Sequence, residues 1–328
     1  MSLVVVTGAS GHVGAALVRS LLDKGAKVRA LVRSDVRALE GLEVDLRKVD
    51  VTDRDGVAAA ISGAEVVYHA AARLTLEAGE DPEAERVNVA GTRNVIAACE
   101  RSQVKRLVHF SSAHALGKSG SLLADGEGRA YERSKALAER EVNAARERGL
   151  GAVIVSPAAV VGPFDHKPSY MGRVLLMLAK GQLPGTVNAG QSWVDVRDVA
   201  STAIAAADRG KPGVRYVVAG HWMAMPALAK LAARSAGVRG PLFSVSTGVA
   251  KWFAPAIEKA SRMVGQEPLV TAASMDALEE RPRRADGLAE RDLGHTARPI
   301  ERTLDDTFRW FEERGMLGRR RSADKGRN

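Results

Sequence analysis

Apolar residues in the first half of the chain fall into short continuous runs, separated by longer stretches in which they recur every three or four positions. The runs at 3–7, 27–32, 44–49, 65–70, 105–111 and 152–156 read as strands, and the stretches at 12–24, 54–61, 83–102 and 129–148 read as helices. Strand and helix therefore alternate. Strands that are apolar almost throughout are buried on both faces, so the alternation predicts an α/β fold: a doubly wound parallel sheet with helices on each side and its ligand at the carboxyl ends of the strands. After Gly162 the pattern is broken by Pro163, Pro168, Pro184, Pro212, Pro226, Pro241, Pro255 and Pro268, with helices between them. A smaller, mostly helical domain is expected there. The run at 193–207 and the apolar stretch at 214–219 are expected to return to the first sheet. The sheet domain then covers 1–165 and regains 193–220, the second domain covers 166–318, and 319–328 is a basic flexible tail.

Composition narrows the class. With 328 residues, 45% apolar and 27% charged, the chain has ordinary globular proportions. The single Cys99 forms no internal bridge and is assigned no chemistry. No charged and apolar leader precedes the first strand, and no run reaches the roughly 18 apolar residues needed to span a bilayer. A cytoplasmic protein with no membrane partner is expected. The net charge of +9 does not imply nucleic acid, because thirteen basic residues against nine acidic ones fall between Arg281 and Arg327, and Arg319 to Arg321 lie in the polar tail. Aromatics at 4% cannot interleave with such a basic surface, and the seven His show no metal-ligand spacing, so no metal is expected.

The first strand runs into Thr7-Gly8-Ala9-Ser10-Gly11-His12-Val13-Gly14 and then an apolar helix. Strand, glycine turn and helix in that order form a dinucleotide fingerprint: glycines let the backbone turn and approach a pyrophosphate, and the helix N-terminus supplies N–H groups and positive dipole. Gly8, Ser10, Gly11, His12, Val13 and Gly14 are the candidate contacts. At the end of the second strand an NAD enzyme carries an acid for the ribose 2′-hydroxyl, but here stands Arg33, followed by Ser34 and Asp35. A guanidinium suits a 2′-phosphate, so NADP(H) is preferred and NAD(H) remains possible. Asp50 and Val51, ending the third strand, are placed beside the adenine.

Tyr131-Glu132-Arg133-Ser134-Lys135 sets a Tyr and a Lys four apart on one helix face, and the fifth strand ends in Phe110-Ser111-Ser112 at the sheet's carboxyl edge. A Tyr hydroxyl, with an ordinary pKa of about 10, shuttles protons at neutral pH only if a neighbouring cation lowers it. Lys135 is the expected cation, with Tyr131 as proton donor and a serine hydroxyl as partner of the substrate oxygen.

With these motifs, His69-Ala70-Ala71-Ala72, Asn88-Val89-Ala90-Gly91-Thr92-Arg93-Asn94, Pro157 to Pro163 and Trp193 to Ala200 included, the sequence resembles the extended short-chain dehydrogenase/reductases, in their dihydroflavonol-4-reductase-like and sugar epimerase branch. The resemblance implies a Rossmann sheet and the catalytic set Ser112, Tyr131 and Lys135, with Ser112 rather than Ser111 as the hydroxyl. It implies that Ala70, Ala71 and Ala72 pack beside the cofactor, that backbone at Pro157 and Val160 holds its carboxamide, and that Asn88 positions a helix. Ser112, Ala113, His114 and Tyr131 are the implied substrate contacts. A homodimer packing the helices at 83–102 and 129–148 is also implied.

Two departures are visible. The stretch from Gly117 to Tyr131 is short and lacks the acid usual about a dozen residues before the Tyr. Ser112 is followed by Ala113-His114 and not by the Asp-Glu pair of sugar dehydratases, which disfavours elimination. The expected activity is NADP(H)-dependent transfer of hydride to or from a carbonyl or alcohol carbon of a small organic substrate. The alternatives are a nucleotide-sugar epimerase with bound NAD and a non-catalytic NADP(H)-sensing protein.

Overall fold

Seven strands form the main sheet, and the first six lie where the apolar runs of the first half place them. They are β1 (Leu3–Thr7), β2 (Lys27–Val32), β3 (Asp45–Lys48), β4 (Val66–His69), β5 (Arg106–Phe110) and β6 (Ala152–Pro157). After two short strands of other sheets, β7 (Ala159–Val161) and β8 (Gly185–Val187), come β9 (Gly190–Asp195) and β10 (Arg215–Val218), the seventh. The computed structural model describes residues 3–75, 79–117, 119–263, 271, 274–275, 278 and 287–317, so the expected tail at 319–328 lies outside the described residues. The sheet is parallel throughout, in the order β10-β6-β5-β4-β1-β2-β3. Strand order reverses between β1 and β4, where Thr7 pairs with His69 at the carboxyl edge. Such a switch point opens the crevice in which ligands of open α/β sheets bind.

Alternation along the strands explains the two cores. Val4 and Val6 face α1 (His12–Asp23), whereas Val5, Val67, Leu107 and Ile154 face α2 (Arg54–Ile61), α4 (Gly91–Arg101) and α5 (Ala130–Glu147). The helix expected at 83–102 is interrupted. A short α3 (Pro82–Glu85) passes into a π-helical turn at Arg86–Ala90 before α4 begins. Gly91 lets α4 come this close: a Cβ there would stand 2.8 Å from Cγ2 of Val51. The outward sides of α4 and α5, where the expected dimer would pack, are cross-linked within the chain by Arg93–Glu141 and Glu100–Arg148 ion pairs.

The remaining elements build a second core. α6 (Tyr170–Ala179), α8 (Met225–Ala236) and the last helix, Ile300–Glu313, enclose Trp193, Leu228, Phe308 and Phe311. The small sheets β11-β9-β7 and β12-β8 flank them, with β11 at His221–Ala224 and β12 at Phe243–Val245, and β12 leads into α9 (Thr247–Met263). By contrast α7 (Val196–Arg209) buries Val199, Ala203 and Ala206 in the same core as Val18 and Leu21 of α1. The described residues include no helix long and apolar enough to cross a membrane.

Candidate active site

The glycine turn admits no side chain at two of its positions. Gly8 has a φ of 65°, and a Cβ on it would stand 2.6 Å from the Ala71 backbone; on Gly14 it would stand 2.1 Å from the Gly8 carbonyl oxygen. No side chain caps α1, so its first N–H groups are left for an anion. The His12 imidazole donates through Nε2 to the carbonyls of Gly162 (3.2 Å) and Pro163 (3.0 Å). Ser10 and Val13 lie half-buried on this turn.

From the turn a polar chain crosses the switch point, and its donors and acceptors fix one another. The Ala71 N–H donates to Thr7 Oγ1 (3.2 Å), Thr7 to His69 Nδ1 (2.8 Å), His69 Nε2–H to Thr92 Oγ1 (2.9 Å), and Thr92 to the Asn88 carbonyl (2.6 Å). His69 is thereby held neutral as the Nε2–H tautomer. Burial pushes it in the same direction, down to about 3, with Lys135 adding to the effect. From the π-helical turn the Asn88 amide continues the chain: Nδ2 donates to Arg73 O (3.0 Å) and Ser134 Oγ (2.8 Å), Oδ1 accepts from Arg73 N (2.7 Å), and Ser134 donates to the Tyr131 carbonyl (2.8 Å). The phosphate turn, the loop after β4 and the start of α5 are thus tied together. Ala70 and Ala71 sit in this loop half-buried, and Ala72 is exposed.

The adjacent serines point to opposite partners. Ser112 accepts the His114 N–H (3.1 Å) and lowers the pKa of the Tyr131 phenol, whereas Ser111 donates to Glu139 (2.7 Å). Ser112, not Ser111, therefore faces Tyr131. Lys135 is buried, and its ammonium donates to the Phe110 carbonyl. Burial lowers it to about 8, and the Glu139 carboxylate pulls the other way. Glu139, fully buried one turn beyond Lys135, also takes the Arg215 guanidinium at 2.6 Å. Sequence reasoning missed Glu139. Its spacing of four from Lys135 on a helix was the available signal.

Tyr131 stands above its ordinary pKa, raised chiefly by burial and also by Glu132, with Ser112 pulling it down. Beside Lys135, the rings of His69 and His109 lie 5.4 Å apart, and both His109 nitrogens are buried without a hydrogen-bond partner. Following Ser112, Ala113 is buried, and His114 Nδ1 lies 3.9 Å from the Glu132 carboxylate.

At the adenosine end Arg33 is exposed at the tip of β2. Asp35, two residues on, is held at a pKa of about 2 by its 2.6 Å ion pair with Arg37. Asp50 bonds both the backbone N–H (2.9 Å) and the hydroxyl (2.7 Å) of Thr52, so its carboxylate closes a local turn. Val51 is buried against Gly91. Pro157 ends β6 buried, and Val160 lies half-buried in β7.

Comparison with known proteins gives the following. Residues 4–219 match the model of the NAD dependent epimerase/dehydratase family. The chain is 34% identical to sterol demethylase protein B of Methylococcus capsulatus over 325 residues, covering 95% of this chain and 99% of that one. It is 32% identical to a putative dihydroflavonol 4-reductase of Synechocystis, covering 95% of each. The crystal structure of gox2253 superposes with a TM-score of 0.82 at 32% identity, over 97% of this chain and all of that one.

Proposed function

Because the chain belongs to the NAD dependent epimerase/dehydratase family, and within it to the extended short-chain dehydrogenase/reductases, which are NAD(P)-dependent oxidoreductases, we propose that it is an NADP(H)-dependent reductase or dehydrogenase. Its substrate is a small organic molecule presenting a carbonyl or alcohol carbon. The observation that carries this reading is the convergence of Ser112, just past the carboxyl end of β5, on the Tyr131 phenol, whose pKa it lowers, with Lys135 buried one turn along the same helix. The relative named as a putative dihydroflavonol 4-reductase, similar over 95% of the chain, supports the reductase direction.

When bound, the reduced nicotinamide supplies the hydride. The chain's residues do the rest. Gly8, Gly11, Gly14 and the uncapped start of α1 hold the pyrophosphate. The Ser112 hydroxyl bonds the substrate oxygen as charge grows on it, and Tyr131 delivers the proton. The Tyr131 phenol is protonated at neutral pH and so holds the proton that reduction consumes. Lys135 holds its proton up to about pH 8 and presents an ammonium to the nicotinamide ribose.

The preference for the phosphorylated cofactor rests on charge at the end of β2. Arg33 is exposed there, and the nearby acid, Asp35, is neutralised by Arg37. The test is thermal stabilisation by NADPH and NADH at equal concentration, with Arg33→Ala as control. NADPH should stabilise more, and the variant should lose roughly 1.5–3 kcal/mol of NADPH binding while keeping NADH binding. Equal stabilisation by the two cofactors would overturn the assignment, and a nucleotide sugar released from the purified protein would replace the reductase by an epimerase.

A further inference from the structure

Helix α9 shows its large apolar residues to solvent and its small ones to the protein. Ala250 and Ala254 are buried, whereas Val249, Trp252, Phe253, Ile257 and Met263 are exposed, Trp252 by 77% and Met263 by 78%. Positions 249, 252, 253, 257 and 263 lie on one stripe of a helix with 3.6 residues per turn. In the segment that leads to the helix, Leu242 is 84% and Phe243 57% exposed. Scattered exposed apolar residues are ordinary, but a contiguous stripe led by Trp and Phe marks an interaction surface.

The surroundings say what covers it. From Gly210 to Ile257 the sequence holds Lys211, Arg215, Lys230, Arg234, Arg239 and Lys251 and no Asp or Glu. Lys230 and Arg234 on α8, Arg239 after it and Lys259 on α9 are exposed. α8 shares a core with α9, since Ala229 and Ala233 pack in the same cluster as Ala250. Exposed cations thus lie on α9 itself and on the helix that shares its core, within a chain of net charge +9. A second copy would bring like charges together. A surface with negative headgroups over an apolar interior matches both features: Trp and Phe seat at the boundary, and Lys and Arg meet the phosphates. With Lys251, Glu258, Lys259 and Arg262 in its 17 residues, the helix lies in the interface instead of crossing it.

We propose that α9, with Leu242 and Phe243, docks the protein on a membrane surface rich in anionic lipid. The sequence-based expectation of no membrane partner rested on the search for spanning segments and leader peptides, which does not detect a helix lying in the interface. The proposal is independent of the catalytic reading.

The test is flotation of the full chain with vesicles of phosphatidylcholine alone or mixed with an equal part of phosphatidylglycerol. The protein should float with the mixed vesicles and bind pure phosphatidylcholine at least about tenfold less, with binding that weakens as salt is raised. The double variant Trp252→Glu/Phe253→Glu should lose binding at least about tenfold yet keep the wild-type thermal stabilisation by NADPH, which shows that it is folded. Changing Arg319, Arg320 and Arg321 to Gln should leave binding intact. The proposal is overturned if wild type stays with the soluble fraction, if the double variant floats like wild type, or if only the tail variant loses binding. It is equally overturned if wild type ignores vesicles but sediments as an oligomer that the double variant dissociates, which would give the face to a second copy.

Discussion

Replacing Lys135 by Met should stabilise the protein at neutral pH while removing the ammonium proposed to serve catalysis. The side chain is 3% exposed, and burial lowers its pKa from 10.5 to about 8. At roughly 1.4 kcal/mol per unit, holding that proton in the folded state costs about 3 kcal/mol at pH 7. The sign follows from proton counts. Below about pH 8 both folded and unfolded chains carry the proton and the cost is constant; between about 8 and 10.5 the unfolded chain binds more, so stability rises with pH through that window. Cys99, pushed up to about 12 by burial, and Tyr68, pushed up further, act in the opposite sense at alkaline pH, but they do so in both proteins. The difference between wild type and variant therefore isolates Lys135. Met fills the space of the stem, and Glu139 keeps Ser111 and Arg215, so the main loss is the bond to Phe110, worth about 1 kcal/mol. Urea unfolding at about pH 7, 8.5 and 10.5 measures the gap. Lys135→Met should be more stable by about 2 kcal/mol at pH 7, and by about pH 10.5 the wild type should have gained about 3 kcal/mol on it. A gap that stays constant over this range would refute the reasoning, because Lys135 would then titrate as it does in the unfolded chain.

Two further outcomes test the site. Tyr131→Phe should bind NADPH as wild type does, since the ring remains, and lower turnover by roughly 10²–10⁴ by loss of the acid; unchanged turnover would remove Tyr131 from the mechanism. Asn88→Ala should cost about 2–3 kcal/mol in urea unfolding, because a side chain 1% exposed loses bonds to Arg73 and Ser134 and leaves buried polar groups unpaired; a loss under about 0.5 kcal/mol would mean that the chain from Thr7 to Tyr131 holds nothing in place.

The sheet and the phosphate turn were legible in the sequence because each depends on short-range physics. A strand buried on both faces must be apolar at nearly every position, and a turn whose Gly8 and Gly14 leave no room for a Cβ must spell those glycines. The Tyr131 and Lys135 spacing is likewise a property of one helix. Much of what sets the behaviour of those groups is contributed from elsewhere in the chain. Lys135 is bound to Phe110 and opposed by Glu139, and Glu139 is itself paired with Arg215, 76 residues away. Nothing in the local sequence reveals that burial raises Tyr131, because a pKa depends on distances and burial that only folding defines. The π-helical turn at Asn88 escaped the periodicity for the same reason, as its side chain is held by Arg73 and Ser134 from two other segments. In α9 the stripe was present in the sequence, but periodicity shows only that a helix has an apolar face. Which side of the helix meets the core is decided by the packing of Ala250 and Ala254, and that packing turned the larger residues outward.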